Sequence, residues 1–179
     1  MPSKVVAVSS GAANNFSKPV RDSITLIEGL GVRDDAHSGE LVQHLYLQKK
    51  DPTAPNLRQV HLVQAELFAD LADRGYVLGP GEIGENVTTE GIGLTQLPRG
   101  TELRIGAVRI ELTGLRTPCA QIDGFQKGLT KAVTEKNADG KAHLRFGVMG
   151  IVLEGGEIRP GDEISVDLPE PPHQSLQPV

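Results

Sequence analysis

The chain has 179 residues, a single cysteine, no tryptophan, 3% aromatic residues and a formal net charge of −5. One domain is the expectation at this length, with enough interior to fold without cross-links, and one Cys excludes an internal disulfide. Interspersed charges exclude a global field for nucleic acid, scarce rings exclude a stacking platform for single strands, and no apolar run is long enough to cross a bilayer.

In chain order, Lys4–Ser9 is β-branched and predicts a strand that stops at Gly11. Asn14–Lys18 is polar and turn-like, and Ser23–Glu28 predicts a second strand. Residues 29–39 form a loop carrying Asp34, Asp35 and His37. Residues 41–55 are ambiguous: Asp51-Pro and Ala54-Pro punctuate them, and the sequence assigns them neither helix nor strand. Residues 58–63 alternate, with Val60 and Leu62 on one face and Gln59 and His61 on the other. Residues 64–74 predict an amphipathic helix with Leu67, Phe68 and Leu71 on one stripe and Gly75 as its stop. A Gly-rich segment follows, centred on Gly84. Residues 103–105 and 108–112 predict strands, 114–119 a loop, and 125–136 a helix from the spacing of Phe125, Leu129, Ala132 and Val133. Residues 148–153 and 164–168 predict the last strands, with Gly155-Gly156 as a turn.

Gly100-Thr-Glu-Leu-Arg-Ile echoes Gly161-Asp-Glu-Ile-Ser-Val, as two related strand entries of one barrel would. Short strands with Gly and Pro between them predict a mainly β fold: a closed or nearly closed barrel with a few short peripheral helices. Residues 1–168 read as one domain and 169–179 as a Pro-rich tail. No G-x-G-x-x-G stands at a strand-to-helix turn. A lone Cys without a leader-like N-terminus predicts a soluble, reduced, cytoplasmic protein.

Cys119 heads the chemistry-bearing residues. Pro118 restricts Thr117 to extended backbone and presets the loop. Arg116 is a nearby cation, and a cation beside a thiol stabilises the thiolate that attacks electrophiles and binds soft metals. A buried, inert Cys carries about equal weight. His37 reads as a metal ligand, a general acid–base or, preferred, a plain surface residue. His61 suits either a site or a core histidine satisfied by backbone. The string Gly84-Glu85-Asn86-Val87-Thr88-Thr89 offers amide and hydroxyl donors to an anion, and makes an ordinary turn equally well. His44, His143 and His173 read as exposed. No Cys-x-x-Cys or His-x-x-x-His spacing supports zinc, and a Cys–His nucleophile pair would draw on His37 or His61.

Six strings together resemble the MOSC family, named for the C-terminal domain of molybdenum cofactor sulfurase. They are GVRDDAHSG at 31–39, NLRQVHL at 56–62, GEIGENVTTEG at 81–91, LPRGTELRIG at 97–106, TGLRTPC at 113–119 and GVMGIVLEGGEIRPGD at 147–162. The resemblance runs from about Gly29 to Val166 and marks the chain as similar to stand-alone bacterial members. It implies a β-barrel-centred fold and one essential Cys. In amidoxime-reducing relatives that Cys binds the molybdenum of a pterin cofactor. Carried over by position, Cys119 is the metal ligand or sulfur carrier, and Arg58, His61 and the Gly84-Glu85-Asn86 segment line the same pocket. Gln59, Thr88 and His37 join the candidate cofactor-binding set, and His61 joins Cys119 as a candidate catalytic residue. Arg116 would neutralise cofactor phosphate, because a guanidinium fork suits phosphate oxygens.

Three departures stand out. Asp34 occupies a position where the family usually has Gly, and Asp tolerates left-handed backbone better than most residues. The residues ahead of the matching strings are too few for the N-terminal barrel extension of the amidoxime reducers. The pyridoxal-phosphate domain of the parent sulfurase has no counterpart, so pyridoxal phosphate is not expected. Three functions follow in order of preference. The first is a molybdenum-dependent reductase of N-hydroxylated compounds. It would need a small-molecule substrate and a separate electron-transfer protein, because no flavin, haem or iron–sulfur motif is present. The second is a non-enzymatic carrier of sulfur, as a Cys119 persulfide, or of pterin. The third is a Cys–His hydrolase or transferase.

Overall fold

The computed structural model describes residues 2–136 and 138–179. In chain order the strands are β1 (Lys4–Ser9), β2 (Val20–Arg21), β3 (Ile24–Ile27), β4 (Gly31–Val32), β5 (Val60–Gln64), β6 (Val87–Glu90), β7 (Glu102–Ile105) and β8 (Val108–Leu115). They continue as β9 (Thr134–Lys136), β10 (Ala142–Leu144), β11 (Val148–Glu154), β12 (Gly156–Ile158) and β13 (Ser165–Asp167). The helices are α1 (Leu45–Lys50), α2 (Ala65–Asp73), α3 (Ile122–Phe125) and α4 (Leu129–Val133).

Eight strands form one sheet in the order β13-β7-β8-β11-β5-β6-β1-β2, and β12-β3-β4 and β10-β9 form two small sheets. The closed barrel expected from the strand pattern is therefore corrected: the large sheet is open, with β13 and β2 at its edges. Its flanks come together through loop backbone instead. Val5 N–H donates to the Asp162 carbonyl, Gly161 N–H to the Val5 carbonyl and Ile164 N–H to the Ser3 carbonyl, each at 2.8 Å. Only an isolated Lys4–Glu163 bridge accompanies them, because the chain turns at Pro160-Gly161 before β13 begins. The mainly β reading holds.

Alternation explains β8, while β5 and β11 are buried along most of their length. Along β8, Val108, Ile110 and Leu112 are buried while Arg109 and Glu111 are only half-buried. They meet Val60, Leu62, Val148 and Val152 of β5 and β11 in the main core, with Leu26 and Ile158 covering it from the small sheet. Each such side chain contributes about 1.5–3 kcal/mol relative to exposure. A second core lies under the helices, where Leu67, Phe68 and Leu71 of α2 pack with Val63, Ile122, Leu129 and Phe146.

α2 ends as its sequence predicts. Gly75 takes φ +88°, its N–H reaches the Ala72 carbonyl at 2.9 Å, and Tyr76 N–H reaches the Leu71 carbonyl at 2.9 Å. Those paired bonds satisfy carbonyls that a helix end leaves open. The helix expected over 125–136 is split. Gly128 adopts φ +86° and interrupts it, leaving α3 and α4, and Thr134–Lys136 pairs with β10 instead. Residues 41–55, ambiguous in the sequence, hold α1, whose six residues are all outside the core. Asp34 sits at φ +59°, so the turn that favours Gly survives with Asp.

The Pro-rich segment lies along the body. Leu176 is buried, Arg99 N–H donates to the Gln174 carbonyl at 2.8 Å, and Leu115 N–H donates to the Gln177 carbonyl at 2.9 Å.

Candidate functional site

A cavity of about 410 Å³ opens where seven parts of the chain converge. The loop 14–18 ahead of β2 and His37 after β4 form one wall, and the α1 region forms the rim. Arg58 and His61 come from the start of β5, Gly84 and Asn86 from the loop entering β6, and Arg116 and Cys119 from the loop leaving β8. Met149 of β11 joins them. Among the described residues no Asp or Glu lines this cavity, whereas Lys18, Lys49, Arg58 and Arg116 do.

Tight backbone contacts hold the walls. Gly84 takes φ +85°, and a Cβ there would stand 2.5 Å from the Phe16 carbonyl, so glycine lets the 14–18 loop lie against the β6 entry. Asn86 locks the same corner. Its Oδ1 accepts from His61 N–H at 3.1 Å and its Nδ2 donates to the Ser9 carbonyl at 3.2 Å.

His61 is buried, and its Nε2 lies 2.8 Å from the Phe146 carbonyl, which makes Nε2 the protonated nitrogen. Burial pushes its pKa well below the ordinary value, and the Arg116 charge pushes the same way. The ring is neutral. His44 is held down to about 4, first by burial and then by Arg58, Arg116 and His37.

Arg116 has no carboxylate partner among the described residues. Its Nη1 donates to the Thr117 carbonyl at 2.9 Å, and burial lowers its pKa while proximity to Cys119 opposes that. Arg58 is lowered to about 10 by burial and by Arg116. Its Nε donates to the Val179 backbone oxygen at 2.7 Å, and its Nη2 donates to the same oxygen and to Thr117 Oγ1 at 3.3 Å. Cys119 is half-buried and close enough to Arg116 to interact with its charge, without a disulfide partner.

On the opposite wall a buried ion pair is built. Lys18 Nζ donates to Asp35 Oδ2 at 2.9 Å, with side-chain exposures of 2% and 0%. Asp35 also accepts from Gly11 N–H at 3.1 Å and His37 N–H at 3.3 Å. Burial pushes the Asp35 carboxyl up, but His37, Lys18 and Gly11 outweigh it and hold the group well below the usual carboxylate range.

Of the residues singled out in the sequence, Cys119, His61, Arg58, Gly84, Asn86, Arg116 and His37 meet around the cavity. Gln59, Glu85 and Thr88 stand behind its walls. Gln59 Nε2 donates to the Gly29 carbonyl and its Oε1 accepts from Val152 N–H, both at 3.0 Å, tying the small sheet to β11. Glu85 Oε1 accepts from Gly81 N–H at 2.6 Å and from Thr88 Oγ1 at 3.0 Å, burial raises its pKa, and its Oε2 has no partner. Lys18 and Met149 carried no sequence signal, and His44, read as exposed, lines the cavity. Lys18 becomes recognisable only when Asp35 is known to face it. No group of three or more His, Cys, Asp or Glu among the described residues is placed to hold a metal ion.

The family model described as MOSC domain matches residues 49–165. The chain belongs to the MOSC domain family. No curated protein matches it. Solved structures agree on the fold. The YUAD protein from Bacillus subtilis is similar at 22% identity and a TM-score of 0.76, covering 95% of this chain and 98% of its own. YiiM from Geobacillus stearothermophilus gives 18% identity and 0.69, over 97% of this chain and 80% of its own. YiiM from Escherichia coli gives 17% and 0.66, over 97% and 73%. The matched MOSC span holds Arg58, His61, Arg116 and Cys119, while Lys18, Asp35 and His37 lie ahead of it. No helix among the described residues is long and apolar enough to cross a membrane.

Proposed function

We propose that this MOSC protein binds a molybdenum–pterin cofactor in the 410 Å³ cavity and reduces N-hydroxylated compounds there, with Cys119 as the protein's ligand to the metal. The observation that carries this reading is Arg116: a half-buried guanidinium beside the only thiol, without a carboxylate partner among the described residues, in a cavity lined by no acid. A desolvated cation left unpaired is costly, and a bound anion removes that cost. MOSC domains are associated with molybdenum-cofactor binding in general.

The donor set fits such a group. The cavity lies within the usual ligand-pocket range of about 300–1,000 Å³. One soft ligand and no three-ligand cluster suits a metal that arrives with most of its ligands already attached. Arg116 and Arg58 would hold the phosphate, since planar guanidinium forks match its oxygens. Cys119 would present its sulfur to the metal as thiolate, favoured by Arg116. When bound, the group supplies two-electron reduction of an N–O bond. His61, neutral and fixed by the Phe146 carbonyl, would orient what lies against it. A separate electron-transfer protein would supply the electrons.

The test is molybdenum content by mass spectrometry with oxidised-pterin fluorescence, on protein from a host that makes the cofactor. Near-stoichiometric metal and pterin, lost in Cys119→Ala, is the expected result. A Cys119→Ala protein that retains both overturns the ligand assignment. The half-exposed thiol favours a second reading, a sulfur carrier acting through a Cys119 persulfide. Metal-free protein that accepts one sulfur on Cys119 is what that reading expects.

A further inference from the structure

We infer that Lys18 is the catalytic acid of this cavity and that His37 resupplies it with protons from solvent. The inference rests on the reductase reading and names the residue that reading leaves open. Reduction of R–NH–OH consumes two electrons and two protons. The N–O bond breaks, an N–H and an O–H bond form, and the hydroxyl leaves as water. A reduced one-electron carrier protein, of flavin or iron–sulfur type, supplies the electrons. Hydroxide is a poor leaving group, so a proton must reach the oxygen as the bond breaks.

Lys18 meets the geometric need. It lines the cavity, yet its side chain is 2% exposed. An ammonium carries three protons. Asp35 Oδ2 at 2.9 Å takes one, and His37 Nδ1 at 3.4 Å accepts a second. The third has no partner among the described residues and remains for a bound substrate oxygen. Asp35 holds the ammonium in place, and is itself fixed by the N–H groups of Gly11 and His37.

The other cavity groups are worse acids. His61 donates Nε2–H to the Phe146 carbonyl, and His44 stays neutral down to about pH 4. Guanidiniums hold their protons too tightly, and Glu85 stands behind the wall rather than in it. Lys18 is different because burial lowers its pKa against the opposing pull of Asp35. The charged and titratable groups facing it are Asp35 and His37 from the turn after β4, Glu85 from the entry to β6 and Arg116 from the loop after β8.

The return path is short. The His37 side chain is 31% exposed, so its ring meets solvent on one side and Lys18 on the other. After Lys18 gives its proton to the leaving oxygen, His37, which rests with its proton on Nε2, takes a solvent proton at Nδ1 and passes that proton to the neutral amine. The Asp35 carboxylate, 3.7 Å from Nδ1, steadies the transient imidazolium. A second delivery supplies the nitrogen.

The experiment uses cofactor-loaded protein, reduced methyl viologen as electron donor and benzamidoxime as the N-hydroxylated probe. Lys18→Arg keeps the charge opposite Asp35 but holds its protons. Metal and pterin content at the wild-type level, with kcat reduced about 100-fold or more and the wild-type alkaline limb abolished, is the expected result. His37→Gln lowers kcat about tenfold, and added imidazole restores it. If Lys18→Arg does not fold, Lys18→Met/Asp35→Asn removes both charges together and takes its place. In metal-free protein, the Lys18 ¹⁵Nζ resonance, assigned by its loss in the variant, titrates below the ordinary lysine range. Loaded Lys18→Arg with kcat within twofold of wild type and an unchanged pH profile overturns the inference alone, as does a Lys18 signal that titrates like a surface lysine. Loaded wild type that is inert toward the probe overturns the reductase reading and this inference with it.

Discussion

Replacing Lys18 by Met tests the wall of the cavity directly, because it leaves the Asp35 carboxylate buried at 0% exposure without its cation. Breaking a buried ion pair from one side costs about 3–5 kcal/mol. The Gly11 and His37 N–H groups still solvate Asp35, so the loss belongs at the low end, about 3 kcal/mol. For a chain of this size that lowers Tm by about 6–12 °C. The deficit depends on pH in a known direction. Without Lys18 the folded-state pKa of Asp35 rises from its depressed position, because one of the groups that hold it down is gone. A depressed carboxyl stabilises the fold above its unfolded pKa, so the variant's deficit is full at neutral pH and shrinks only as pH falls through the carboxylate range. Urea melts at pH 7 and pH 3 read both effects, with Lys18→Met/Asp35→Asn as the control that restores most of the stability. A loss under about 1 kcal/mol at pH 7, or a loss relative to wild type that does not shrink at pH 3, refutes the account of this pair.

Gly147→Ala should destabilise by about 3 kcal/mol, combining left-handed backbone at about 1–2 kcal/mol with overpacking at about 1–3 kcal/mol. Gly147 sits at φ +91°, and the added methyl would meet the Leu62 carbonyl, Val63 Cγ2 at 2.7 Å and His61 Nε2 at 2.9 Å. Urea melts with imidazole NMR of His61 check it, and an unchanged ring signal contradicts it. His44 has a folded pKa of about 4 against an ordinary 6.5, so the unfolded chain binds its proton first and stability falls as pH drops from 6.5 toward 4. Glu85, raised by burial, opposes this, so the comparison is between wild type and His44→Gln, which should lose less stability across that window. Equal losses contradict the reading. Arg116→Ala should raise the pKa of His44 and of Arg58, because Arg116 lowers both. It should also weaken phosphate binding more than folding. Histidine NMR titration and thermal melts with and without phosphate measure the two, and equal loss of binding and stability contradicts it.

Much of the fold was legible because its central strands are β-branched, apolar or alternating. β1 and β11 lie where β-branched and apolar runs predict them, β5 and β8 close to where alternation does, and Gly75 stops α2 as expected. Barrel closure was not legible, since period two says which face a residue takes and nothing about whether the last strand meets the first. The 125–136 helix failed because apolar spacing outlasted the backbone: Gly128, with Tyr76 Oη against it, breaks the run. The site divides similarly. Cys119, Arg116, Arg58 and His61 sit in short strings whose chemistry is local. Lys18 stands alone in a polar turn, and its role depends on Asp35, seventeen positions away, folding back over it.

The place of β11 in the sheet has a consequence for how the protein is made. It lies between β8 and β5, although both of those are synthesised earlier. A nascent chain that has not yet released Val148–Glu154 from the ribosome holds two bare sheet edges facing one another with nothing to join them. Unpaired edges recruit other chains. The N-terminal strand waits too, since Val5 and Ser3 take partners at Gly161–Ile164. The cavity is thus completed only once β11 is in place: Met149 is the last of its lining residues in chain order, and a cofactor meets a finished pocket only after synthesis has passed β11.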